Sequence, residues 1–108
     1  MYEIILTPRV EQKLLEIQSY ITEHFSEFSA EKRVTEIVEG ISVLEIFPEG
    51  GFNADERYGR EFDSRFLTRG LTLKKDYIAL YFIDEINKKV VVTHLSSTKE
   101  NPIKLFKK

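Results

Sequence analysis

Apolar residues recur at helical spacing through the first half of the chain and at strand spacing through the second. "YEIILT" opens as a short Ile-rich strand that ends at Thr7-Pro8. Thr7 suits a helix N-cap, and Pro8 suits the first helical position, where its missing N–H removes no hydrogen bond. Val10, Leu14, Ile17 and Ile21 then fall on one face, with Glu11, Lys13, Glu16 and Gln18 on the other, which predicts an amphipathic helix. "HFSEFS" breaks this rhythm. Ser29 is the expected N-cap of a second helix whose apolar face is Val34, Ile37, Val38, Ile41 and Leu44, stopped by Pro48 and Gly50-Gly51. So short a break predicts an antiparallel α-hairpin. Gly40, which costs the second helix about 1 kcal/mol relative to Ala, either marks a close approach of a neighbouring element or is incidental.

"EGGFNADERYGREFDS" has no clean period and reads as a long loop with a short strand or turn near Phe62. Strands are predicted over 65–73, 77–84 and 89–97, joined by turns at "LKKDY" and "DEINKK" into an antiparallel meander. "NPIKLFKK" forms one helical turn after Pro102 or an extended tail. The expected fold is α+β, in the order β-α-α-β-β-β, with the α-hairpin packed on one face of a mainly antiparallel sheet. In "YIALYFID" both faces are largely apolar, whereas a half-buried antiparallel strand normally alternates apolar with polar. Either residues 52–67 and the tail fold over the second face, or Ile78, Leu80 and Phe82 line an open groove for a partner chain.

Composition narrows the function classes. A chain of 108 residues, 42% hydrophobic and 31% charged, suits one globular domain over 1–108. No apolar run approaches the roughly 20 residues that cross a bilayer, and the N-terminus lacks a signal-peptide pattern, so a cytoplasmic protein is expected. With no cysteine there is no disulfide, thiolate metal site or cysteine nucleophile. Residues 1–50 hold four Lys/Arg against ten Asp/Glu, and residues 51–108 hold twelve against eight. An anionic partner would therefore meet the second half, unless the asymmetry is merely a solvated surface.

Candidate chemistry is sparse. Two histidines 70 residues apart offer no metal-ligand spacing, and neither a metal nor a cofactor is expected. His94, on the last predicted strand, would fall opposite or diagonal to Tyr81, where a His–Tyr pair could move a proton; the plainer reading is a strand histidine bonded to that hydroxyl or to water. His24 reads as a helix C-terminal cation or a surface residue. Asp55, Glu56, Glu61 and Asp63 alternate with arginines, as weak surface salt bridges do. Between 57 and 75, six cations (Arg57, Arg60, Arg65, Arg69, Lys74, Lys75) stand among Tyr58, Phe62 and Phe66, a combination that can hold phosphates and stack on bases. Metal-independent RNA cleavage needs a base, a cation and an acid, tasks that Arg69, His94 and Lys99 would share if they converge.

The stretches "YEIILTPRVEQKLLEIQSYI", "TRGLTLKKDYIALYFID" and "KKVVVTHLSSTKENP" together resemble the RelE/ParE superfamily of bacterial type II toxin–antitoxin systems. That resemblance implies a small toxin of the plasmid-stabilisation type, neutralised by an antitoxin whose C-terminal segment wraps over sheet and helices, with oligomers forming through the antitoxin. Ribosome-dependent ribonucleases of the superfamily carry an Arg just after the tyrosine that opens the middle strand, and often a Tyr near the C-terminus. Here those positions read Ile78 and Phe106. These departures lean toward the ParE-like branch, which poisons DNA gyrase by binding. A ribosome-dependent mRNA endoribonuclease and an inactive binding module remain the alternatives.

Overall fold

The computed structural model describes residues 1–99. The predicted tail, with Pro102 and Phe106, lies outside them. Strand β1 (Glu3–Leu6) leads into helix α1 (Pro8–His24) and helix α2 (Glu27–Ser42), and short 3₁₀ turns follow at Val43–Glu45 and Pro48–Gly50. Next come β2 (Phe52–Asn53), α3 (Ala54–Tyr58), β3 (Arg69–Leu73), β4 (Tyr77–Asp84) and β5 (Lys89–Ser97). The sheet runs β1-β5-β4-β3-β2, with β1 parallel to β5 and every other pair antiparallel. The α+β expectation and the helical hairpin on one sheet face hold.

Two caps differ in detail from the sequence reading. Thr7 stands at the N-cap of α1 with Pro8 behind it, but its side chain makes no cap bond. Its hydroxyl instead donates to the Thr93 carbonyl at 3.3 Å, tying the start of the helix to β5. Helix α2 begins before Ser29, because Ser26 is the cap: its Oγ accepts the Ser29 N–H at 3.0 Å.

One core lies between hairpin and sheet. Val10, Ile17, Ile37, Ile41 and Leu44 meet Leu73, Ala79, Tyr81, Val90, Val92 and Leu95 there. Gly40 does mark a close approach, since a Cβ at that position would lie 2.7 Å from Leu73 Cδ2, where α2 crosses β3.

On the second face the first of the two expectations holds: the chain's own segment after residue 52 covers Ile78 and Leu80, and no open groove is left over them. Residues 52–66 form a strap rather than a featureless loop. Asn53 caps α3 by accepting the Glu56 N–H at 2.9 Å, and Gly59 ends it in the left-handed region at φ 67°. Asp55 then pins the return segment, its carboxylate accepting N–H bonds from Phe62 (3.2 Å) and Thr68 (3.5 Å). The strap sets Ala54, Phe52, Tyr58 and Phe62 against Ile78 and Leu80, which are buried by their own chain. Phe52 occupies the space over Gly70 that a Cβ would fill. Phe82 stays half-buried, stacked on Phe66 with ring centres 4.2 Å apart. The strap also shortens the strand predicted over 65–73, which starts at Arg69. A central strand apolar on both sides is thus satisfied largely within one polypeptide.

Candidate functional site

The residues expected to share catalysis are dispersed. Arg69 sits opposite Tyr81 on the helix-facing side of the sheet. Its guanidinium donates to the Gly51 carbonyl at 3.2 Å. The Tyr81 hydroxyl is fully engaged nearby, donating to the Pro48 carbonyl (2.7 Å) and accepting the Gly51 N–H (2.9 Å). Burial raises the Tyr81 pKa, an effect opposed by the Gly51 bond and the Arg69 charge, so the phenol keeps its proton. This cluster fastens the 48–51 turn to the sheet.

His94 is on the other face. The β4–β5 register runs Tyr81↔Val92 and then Leu80↔His94, because Thr93 is an extra residue in β5. Such a bulge turns every later side chain of the strand to the opposite face. His94 therefore pairs with Leu80 rather than Tyr81, contrary to the expected His–Tyr couple. It is 3% exposed, and its pKa is lowered to about 4 by burial and by the Arg9 charge. A guanidinium can only donate, so the Arg9 contact with Nε2 makes that nitrogen an acceptor and places the ring proton on Nδ1. Nδ1 then donates to Thr93 Oγ1 at 3.0 Å, and that hydroxyl donates to the Leu80 carbonyl at 3.2 Å. The result is a directional chain from guanidinium to sheet backbone.

Lys99 lies at a third place. It is exposed just past β5, with its backbone N–H on Ser97 Oγ at 3.1 Å. Ser97 pairs with Tyr77, four positions along β4 from Tyr81 and Arg69, or about 13 Å at strand rise. Lys74 and Lys75 share that end of the sheet. They form the β3–β4 turn with φ of 51° and 65°, and Lys74 Nζ stands 3.7 Å from Glu36.

The remaining predicted cations decorate the strap. The Arg57 guanidinium lies 3.7 Å from the centre of the Phe52 ring, Arg60 5.3 Å from Phe62 and Arg65 5.4 Å from Phe66. Arg65 also pairs with Asp63 at 3.6 Å, and its backbone N–H holds the Asp63 carboxyl below the usual carboxylate range. Arg57, Arg60 and Arg65 thus share one surface element, while Arg69, His94 and Lys99 do not share one. His24 ends α1 as expected, with Nδ1 2.8 Å from the Tyr20 carbonyl oxygen and the two rings stacked. Arg9 was missed by sequence reasoning. Its partner is 85 positions away, and the parallel β1–β5 pairing that brings the start of α1 to β5 leaves no local signal.

Among the described residues no group of three His, Cys, Asp or Glu is placed to hold a metal, and no helix is long and apolar enough to cross a membrane. A structure titled "Chromosomal ParDE TA system from P. aeruginosa" superposes with a TM-score of 0.72 over 92% of this chain and 98% of that one, at 18% identity, which establishes the shared fold. No curated protein matches the chain in sequence. The family described as "ParE toxin of type II toxin-antitoxin system, parDE" matches over residues 4–102, and the chain belongs to that family.

Proposed function

We propose that the protein arrests growth by binding and poisoning DNA gyrase, as a plasmid-stabilisation-type toxin of the cytoplasm held in check by a cognate antitoxin. The observation that carries this reading over RNA cleavage is the dispersal of the candidate ribonuclease groups. Arg69 is spent on Gly51 on the helix face, His94 is buried and neutral on the strap face, and Lys99 is at the far end of the sheet. A base, a cation and an acid so arranged cannot reach one phosphodiester. A binding poison needs no such convergence. Its contact surface on this reading is the strap, where Arg57, Arg60 and Arg65 project from a base of aromatic rings. Arginine on an aromatic platform is the composition of interface anchors. The antitoxin meets Phe82 and the outside of the strap, and reaches Ile78 and Leu80 only by displacing it.

Pulse labelling after induction of this gene alone tests the reading. DNA synthesis should fall before protein synthesis, and relief should follow from co-expression of the adjacent antitoxin gene. Prior collapse of protein synthesis would favour the ribosome-dependent ribonuclease, and harmless expression would favour an inactive binding module.

A further inference from the structure

Two clefts meet at Arg9, whose charge has no carboxylate partner among the described residues. Both clefts, each about 200 Å³, contain Arg9 and His94. The first is further lined by Phe62, Asp63, Thr68 and Phe82, and the second by Gln12, Lys13, Glu16 and Leu95. Arg9 is exposed and forms no ion pair with a carboxylate among the described residues; Asp63 is paired with Arg65, and Glu16 accepts a bond from Gln12. One edge of its guanidinium is held by His94, whose other nitrogen is tied through Thr93 to the sheet backbone. The rest of the planar fork is aimed before any ligand arrives, which lowers the cost of ordering it on binding.

Size and charge select the ligand class. Each cleft is smaller than the roughly 300–1,000 Å³ of small-molecule sites and suits one or two side chains. Asp63 and Glu16 stand on the two rims with Lys13, so the neighbourhood is not a cationic track for a nucleic-acid backbone. A single carboxylate matches the fork, and the half-buried Phe82 ring offers an apolar wall beside it. We propose that Arg9, positioned by His94, receives a Glu or Asp side chain from an acidic–apolar peptide segment of a partner protein, whose adjacent apolar side chain packs on Phe82. The proposal rests on the toxin–antitoxin reading in naming the antitoxin as the source of that segment. The preference of the cleft itself does not depend on it.

The test therefore uses neither gyrase nor antitoxin. The isotope-labelled full chain is titrated with acetyl-Glu-Leu-amide and, separately, with acetyl-Gln-Leu-amide, while NMR follows the Arg9 side chain and the amides of Thr68 and Thr93. Saturable shifts at those groups are expected, with the Gln peptide weaker by about tenfold or more, because the charge-assisted fork is lost. Arg9→Gln should abolish the preference, and Arg9→Lys should restore part of it. His94→Gln, which keeps an acceptor for Arg9, should retain a preference that His94→Leu loses, each variant being checked for a native spectrum. Equal binding of the two peptides, no saturable shift, an undiminished preference in Arg9→Gln, or displacement of the Glu peptide by a short oligonucleotide at equal charge would each overturn the proposal. Pulse labelling could fail while this titration succeeds, so the two readings are separable.

Discussion

A buried imidazole that must stay neutral makes the fold sensitive to mild acid. His94 releases its proton more readily in the folded chain (pKa about 4) than in the unfolded one (about 6.5), so as pH falls the unfolded chain takes up the proton first. The contribution of His94 to stability should be complete above about pH 6.5, fall through the window down to about pH 4 and level off below it, a loss of about 3 kcal/mol from this group. Urea melts of the native chain and His94→Gln across that window check it: the native slope should be steep and the variant's shallow. Equal slopes would mean that His94 is not desolvated as described. The same residue shows where sequence reading runs out. The polarity pattern of β5 places His94 correctly on a strand, but its face depends on one extra residue at Thr93, and "VVVTHLSS" has no glycine to announce a bulge.

Elements with a strong period were legible; elements held by single side chains were not. The two long helices follow from i, i+3, i+4 repeats and the strands β4 and β5 from short apolar, β-branched and aromatic runs between turn residues, and their observed bounds lie close to the predicted ones. Helix α3 has only five residues, too few for a period to appear. Its signal was local: Asn53 as cap and Gly59 as left-handed stop, in "NADERYG". The strap it begins is the element on which the second face depends. Phe52 lies against Gly70 and joins Ile78 and Leu80 in the smaller apolar cluster, so Phe52→Ala should free the strap at a cost of about 2 kcal/mol, less than for a fully buried ring. Limited proteolysis should then cut within 52–66 while the helical hairpin persists. Resistance equal to that of the native chain would show that Asp55 and its N–H bonds hold the strap alone.

At the scale of the whole molecule, charge and architecture coincide. The acidic first half of the sequence is largely the α-hairpin, whereas the strap over 52–66 mixes three arginines with four carboxylates. The negative hairpin disfavours an acidic partner on the helix side. The candidate site was legible as composition, since Arg57, Arg60 and Arg65 do occupy one surface, but not as constellation. Convergence depends on strand register and on the bulge, which decide that Arg69, His94 and Lys99 stay apart. Purified protein added to purified DNA gyrase and, in parallel, to a reconstituted translation reaction gives the most direct measurement. The account expects loss of supercoiling with trapped cleaved DNA in the first reaction and intact message in the second; untouched gyrase beside ribosome-dependent cleavage of the message would contradict it.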